Sequence, residues 1–113
     1  MTLFRTGDVV RVLFPHVETE VRRYRPALVV TDKPIGPDGI LIWVAMITNA
    51  RRRRWPGDIV IADQESVGLP IPSMVRTAKL ATLEAASAAR LGKLSSDDTA
   101  AVRQQISRHL GLG

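Results

Sequence analysis

The segment Ile40–Thr48 (ILIWVAMIT) constrains the fold of this chain more than any other segment. It is apolar on both faces of an extended backbone, which is typical of a strand at the centre of a sheet. Turn-forming residues precede it in Pro34–Gly39 (PIGPDG), so the strand has a defined beginning. The segment predicts a protein built around one central strand, with Trp43 in the core.

Other short segments rich in β-branched residues predict four further strands. These are Asp8–Phe14, Arg25–Thr31, Asp58–Ile61 and Met74–Leu83. A helix is predicted near the end, with Ser95 as its N-cap, Asp98 in capping-box position and Gly111 as its stop. Val102, Ile106 and Leu110 recur every four residues, so we expect them to face the core. The sequence predicts a mainly β fold, a small barrel with a C-terminal amphipathic helix, as a single domain over residues 1–113.

Composition excludes several classes of protein. The 113 residues suffice for one modest core, and the absence of cysteine excludes disulfides and thiolate chemistry. The first residues contain no apolar segment typical of a secretion signal, so we expect none, and no apolar run is long enough to span a membrane. We therefore expect a cytoplasmic protein that does not enter a membrane.

Positive charge is concentrated in the first half of the chain. Residues 1–56 carry ten basic and five acidic side chains, whereas residues 57–113 carry six of each. A one-sided positive field suits a polyanionic partner, either a nucleic acid or an acidic protein segment.

Two polar residues are expected to meet at the open end of a hairpin. If the second and third strands pair about the Gly36–Pro37 bond, Arg25 lies opposite Thr48. Directly opposed side chains point to the same face, with Cβ atoms about 5 Å apart. A shift of one residue would put them on opposite faces, so the prediction depends on the register.

An arginine beside a hydroxyl is suited to a phosphodiester. The guanidinium can bind two phosphate oxygens and oppose the charge that develops at phosphorus, while the threonine hydroxyl can donate to a non-bridging oxygen. In RNA the neighbouring 2′-OH can attack, so the chemistry requires no cofactor, and we find no metal-ligand spacing in the sequence. His16, in the first loop, is the candidate for proton transfer because imidazole changes charge near neutral pH.

Several residues are candidates for RNA binding. The run Arg51, Arg52, Arg53 and Arg54 is by default a solvated surface, but the adjacent Trp55 could stack on a base. Further candidates, which lie next to the predicted catalytic pair, are Arg22, Arg23, Tyr24 and Asn49. His109, in the last turn of the predicted helix, is expected to interact with the helix dipole only.

An ordered set of segments gives the chain a family likeness. Gly7–Val10 (GDVV), Arg22–Val30 (RRYRPALVV), Ala45–Thr48 (AMIT) and Ser73–Leu83 (SMVRTAKLATL) follow one another, and this order resembles the MazF/PemK toxins of toxin–antitoxin systems. The resemblance implies an SH3-like β-barrel of about five to seven strands and a homodimer. It also implies metal-independent, sequence-specific cleavage of single-stranded RNA, which leaves a 2′,3′-cyclic phosphate and a 5′-hydroxyl. The family's catalytic arginine and threonine match Arg25 and Thr48, and a cognate antitoxin is the expected inhibitor.

Two other functions remain open from the sequence. The same barrel could be a non-catalytic module that binds RNA or DNA, since fold alone does not decide function. It could also be a gyrase-type toxin that targets a protein. The Arg25–Thr48 pair favours the enzyme, because neither alternative needs an arginine and a hydroxyl to converge.

Overall fold

The computed structural model describes residues 3–14 and 23–113. In these residues the fold has six strands and one α-helix: β1 (Asp8–Phe14), β2 (Arg23–Val29), β3 (Leu41–Asn49), β4 (Asp58–Val60), β5 (Ser73–Glu84), β6 (Ala88–Lys93) and α1 (Ser96–His109). All strands belong to one antiparallel sheet in the order β4-β5-β3-β2-β1-β6. The prediction of a mainly β, barrel-like fold with a C-terminal helix is confirmed.

The strand β6 is the element that the sequence did not predict. Its residues AARLGK contain no β-branched side chain, so propensity gives no signal there. The strand forms because the β5–β6 connection returns the chain to β1, where Asp8 pairs with Lys93 and Val12 with Ala88. Tertiary pairing therefore creates this strand.

Two apolar clusters lie on opposite faces of the sheet. The helix-side core lies on the same side of the sheet as α1. It includes Leu28 of β2, Ala45 of β3, Val75 of β5 and Val102 of α1. The hairpin-side core contains Phe4, Val10, Val12, Ala27, Val29, Ile42 and Val44, with Leu83, Ala85 and Ala88 of the β5–β6 hairpin packed against it. Because both faces are covered, residues 27–29 of β2 and 44–47 of β3 are buried, and the apolar pattern predicts this burial for β3.

Helix α1 has the predicted caps. The Ser95 hydroxyl accepts a hydrogen bond from the Asp98 backbone N–H at 3.1 Å, and Gly111 has φ 75° where the chain leaves the helix. The Asp98 carboxylate does not complete a capping box; it accepts the Ala62 N–H at 3.0 Å and so ties the helix to the segment after β4. Within the described part of the chain, no helix is long and apolar enough to cross a membrane.

Two predictions about the core are wrong. Leu110 is 65% exposed because the helix ends before it can return that side chain to the sheet, whereas Val102 is fully buried and Ile106 packs at the edge of the helix-side core. Trp43 is 48% exposed. It shares a face with Ala45 and Ile47, but the helix-side core covers those two residues and stops short of Trp43. Periodicity shows which residues share a face, not how far the covering element extends.

Candidate nucleic-acid interface

The β2–β3 hairpin has the register that the sequence predicts. Ala27 pairs with Met46, Leu28 with Ala45 and Val29 with Val44. Continued by two residues toward the open end, this register brings Arg25 opposite Thr48. Arg25 is exposed and Thr48 is partly exposed, so solvent reaches this end of the hairpin.

Alternation along the strands brings a second arginine to the same face. Thr48 pairs with Met74 and Met46 with Arg76, so Arg76 is the diagonal neighbour of Thr48 on β5. We call the face that carries Arg25, Thr48 and Arg76 the site face. It continues the face of the hairpin-side core toward β4, where Asp58 pairs with Arg76.

The other candidates near Arg25 are placed differently. Tyr24 is 60% exposed but points to the opposite face of β2, where the Arg11 guanidinium lies 4.7 Å from its ring centre. Arg23 begins β2 and its backbone pairs with Phe14. Arg22 and His16 lie outside the described residues. The structure thus does not bring Tyr24 and Arg25 to one face.

The arginine run forms an exposed connection between β3 and β4. We call residues 49–54 the basic loop; the side chains of Arg51, Arg52, Arg53 and Arg54 are all exposed. The Asn49 Oδ1 accepts the Arg51 N–H at 2.9 Å, and the Asn49 carbonyl accepts the Arg52 N–H at 3.0 Å. Asn49 therefore shapes the start of this loop through its backbone and its side chain.

A tight turn follows the basic loop. Trp55, Pro56, Gly57 and Asp58 form a turn in which the Asp58 N–H donates to the Trp55 carbonyl at 3.1 Å. Proline in the second position and glycine at φ 90° in the third are the residues that a type II turn requires. A Cβ at Gly57 would lie 2.9 Å from the Thr77 Oγ1 and 3.0 Å from the His109 Nε2. The turn is therefore packed against β5 and the end of α1.

Arg76 stabilises this turn through hydrogen bonds to Asp58 and to the Arg53 carbonyl. Its Nε donates to the Asp58 Oδ1 at 3.3 Å, and its Nη2 donates to the Asp58 Oδ2 at 3.1 Å and to the Arg53 carbonyl at 2.8 Å. Its guanidinium also lies 4.0 Å from the centre of the Trp55 ring. The Asp58 side chain is fully buried and that of Arg76 is 9% exposed, so this is a buried ion pair that stabilises one loop conformation.

Sequence reasoning missed the role of Arg76. Its 18-residue separation from Asp58 hides their pairing, and a single arginine in a strand ordinarily indicates a surface residue. One signal was present: Arg76 is a charged residue between Val75 and Thr77, two residues typical of strands. In the structure the whole run Ser73–Thr77 is buried, including Arg76. Arg76 also lies next to a register shift in the β3–β5 pairing, between the pairs of Ala45 and Met46. Such bulges often change the direction of a side chain near a functional site.

His109 has a contact that the sequence did not predict. The Thr77 hydroxyl donates to the Gly57 carbonyl at 2.8 Å and lies 3.0 Å from the His109 Nε2. Because the hydroxyl proton is used by Gly57, the ring nitrogen must be the donor in this contact. His109 thus connects the end of α1 to the turn after the basic loop. It also lies in the last turn of the helix, where the sequence predicts an interaction with the helix dipole.

A known protein family matches nearly the whole chain. Residues 5–110 match the model of the PemK-like, MazF-like toxin of type II toxin-antitoxin systems. The chain belongs to this family. The match covers every strand and the helix, and therefore includes Arg25, Thr48 and Arg76.

Solved structures of family members share the fold. A MazE–MazF complex from Deinococcus radiodurans superposes with a TM-score of 0.76 at 23% identity and full coverage of both chains. An endoribonuclease in complex with its cognate antitoxin, from a mycobacterial species, has a TM-score of 0.75 at 17% identity and covers 96% of each chain. The Mycobacterium tuberculosis toxin MazF-mt6 has a TM-score of 0.72 at 20% identity, over 94% of this chain and 98% of that one. No curated protein sequence matches the chain significantly.

Proposed function

We propose that the protein is a metal-independent, sequence-specific endoribonuclease toxin, with Arg25 and Thr48 as its catalytic pair. The observation that supports the proposal is the β2–β3 register. Continued by two residues toward the open end of the hairpin, it would bring both side chains to one face. Family membership supports it, since a family member of the same fold is an endoribonuclease held by a cognate antitoxin.

The proposed reaction is an internal transesterification. The 2′ oxygen of the RNA forms a bond to phosphorus as the bond to the 5′ oxygen breaks, which gives a 2′,3′-cyclic phosphate and a 5′-hydroxyl. The 2′-OH proton passes to a base, and the leaving oxygen takes a proton. Arg25 would bind the non-bridging oxygens and oppose the charge that grows on them, and the Thr48 hydroxyl would hold one of these oxygens.

Proton transfer is assigned to His16, which lies outside the described residues. Arginine is protonated at neutral pH and so is suited to an electrostatic or general-acid role rather than that of a base. Imidazole can serve as a base in this pH range. If His16→Ala cleaves RNA at the normal rate across pH, His16 has no part in catalysis.

RNA binding is assigned to the basic loop with Trp55, and to Arg22, Arg23 and Tyr24 at the start of β2. The exposed arginines 51–54 would neutralise phosphates, and exposed aromatic rings would stack on unpaired bases. Tyr24 faces away from Arg25, so a strand of RNA would have to pass around the N-terminal end of β2 to touch both.

The test compares cleavage of single-stranded RNA by the wild type, Arg25→Ala and Thr48→Val. Loss of one transition-state contact typically lowers the rate by about 100- to 1000-fold, and we expect each variant to fall in this range. Arg103→Ala is the matched control, because it removes an exposed arginine from α1 that pairs only with Asp32 among the contacts described. Equal rates for Arg25→Ala and the wild type would contradict the proposed site.

The two alternative functions predict different outcomes. A non-catalytic binder would retain RNA without cutting it. A gyrase-type toxin would arrest growth while cellular RNA stays intact, whereas the proposed nuclease depletes RNAs that contain its recognition sequence. RNA sequencing after induction in a bacterial host separates the three.

We also propose a homodimer that a cognate antitoxin neutralises. Two solved relatives are complexes of toxin and antitoxin, and the positive charge of the first half of this chain suits an acidic antitoxin segment. Light scattering should give twice the chain mass of 12.4 kDa. A particle of a single chain mass at micromolar concentration would contradict the dimer.

A further inference from the structure

The indole ring of Trp55 is contacted by an arginine and is also partly open to solvent. The guanidinium of Arg76 lies 4.0 Å from the ring centre on one side. The residue is nevertheless 40% exposed, so a large part of the ring meets solvent. Such a ring presents a flat apolar surface next to the positive charge of the basic loop.

The ring is held in place before any ligand arrives. Arg76 is itself 8% exposed and is fixed by Asp58 and by the Arg53 carbonyl. The Asp58 Oδ2 also accepts the Trp55 N–H at 2.8 Å, so one carboxylate anchors both the backbone of Trp55 and the arginine beneath its ring. A ring held in this way loses little conformational entropy when something stacks on it.

We propose that the open face of Trp55 is a stacking subsite for one unpaired nucleobase, and that Arg76 is the positioning residue that holds it. The inference rests on the proposed function for its ligand, single-stranded RNA. Base–aromatic stacking requires a free ring face and is indifferent to base identity, and the neighbouring arginines of the basic loop supply the phosphate contacts. The subsite would therefore contribute affinity at a distance from the Arg25–Thr48 pair.

Tryptophan fluorescence provides a direct test. The chain has two tryptophans, so Trp43→Phe leaves Trp55 as the single reporter. The ligand is a mixed-sequence single-stranded 2′-O-methyl oligonucleotide, whose blocked 2′ oxygen cannot attack phosphorus. We expect quenching of Trp55 that saturates with binding; binding detected by anisotropy without any change in Trp55 emission would overturn the proposal.

Substitutions of Trp55 test the subsite while keeping both partners of the buried Arg76–Asp58 ion pair. Trp55→Leu should weaken binding of a labelled oligonucleotide by about tenfold, and Trp55→Phe should restore most of the loss because a smaller ring still stacks. Equal affinity of Trp55→Leu and the parent protein would overturn the proposal.

The positioning role of Arg76 is tested by combining substitutions. Arg76→Lys keeps the charge but loses the fork that binds Asp58, so it should weaken binding in the parent and have little further effect in Trp55→Leu. Arg90→Lys is the matched control, since Arg90 likewise pairs with a carboxylate, that of Asp8, and lies over the Phe4 ring. The same loss from Arg76→Lys in both backgrounds would show that Arg76 does not act through Trp55.

These results are separable from the proposed nuclease activity. Quenching and the Trp55 effects with no cleavage of unmodified RNA would keep the subsite and overturn the nuclease. Cleavage that depends on Arg25, without quenching of Trp55, would keep the nuclease and overturn the subsite.

Discussion

At the residue scale, two Arg–Asp pairs in different surroundings allow a matched comparison. The Arg76–Asp58 pair is buried, whereas the Arg103 and Asp32 side chains are 58% and 61% exposed. Removing one partner of a buried pair leaves an uncompensated charge and typically costs about 3–5 kcal/mol. We expect Asp58→Ala to lower the free energy of unfolding by about 3 kcal/mol and Asp32→Ala by a small fraction of that, as measured by urea denaturation. Equal effects would contradict the burial that the structure assigns to Asp58.

The Asp32 pair also has a pH dependence of known sign. A hydrogen bond from the Thr6 side chain, with the charge of Arg103 in addition, lowers the pKa of Asp32 from its ordinary 3.8, although partial burial opposes the shift. A lowered carboxyl pKa adds stability above the unfolded-state value, and this stability is lost as pH falls through the folded-state value. The stability difference between the wild type and Asp32→Asn should therefore be constant near neutral pH. It should begin to decrease near pH 3.8 and continue to decrease as the pH falls through the lower folded-state pKa. A difference that grows with acidification would contradict the assignment.

At the element scale, the turn between the basic loop and β4 should be intolerant of side chains. Gly57→Ala would place a Cβ 2.9 Å from the Thr77 hydroxyl at a φ of 90°, whereas Gly111→Ala has a φ of 75° with open space around it. The second variant thus bears backbone strain alone, about 1 kcal/mol. We expect Gly57→Ala to lose more stability than Gly111→Ala and also to lose RNA affinity, since the turn carries Trp55. Thermal melts and anisotropy measure both; a milder effect of Gly57→Ala would contradict the packing of the turn.

The elements also show which structural features a sequence can predict. The bounds of β1, the Ser95 cap and the β2–β3 register were predictable because each depends on neighbouring residues or on a short hairpin. The strand β6 and the Arg76–Asp58 pair were not, because contacts between distant segments create them. The exposure of Trp43 was missed for a related reason: strand patterns do not encode where the covering helix ends.

At the scale of the whole molecule, charge should govern RNA affinity. The formal net charge is +5, and the exposed basic loop contributes four of the positive charges. Each phosphate contact with single-stranded RNA adds about 0.7 to the slope of log affinity against log salt. Replacing Arg51 and Arg52 by glutamine should reduce that slope by about 1.4 if both bind phosphate, measured by anisotropy across salt concentrations. An unchanged slope would show that the loop does not contact the RNA backbone.

The candidate site was predictable in part at this scale as well. Arg25 and Thr48 belong to segments with a family likeness, and the observed register agrees with their proposed meeting. Arg76, which shares their face and holds Trp55, became evident only when β4 and β5 were seen to pair.

The most direct test of the account is to incubate the purified protein with mixed-sequence single-stranded RNA in EDTA, beside Arg25→Ala, and to map the new ends. The account predicts discrete cuts with 2′,3′-cyclic phosphate and 5′-hydroxyl ends, which the variant does not produce. Cuts of the same pattern and rate from Arg25→Ala, or intact RNA with the wild type, would contradict it.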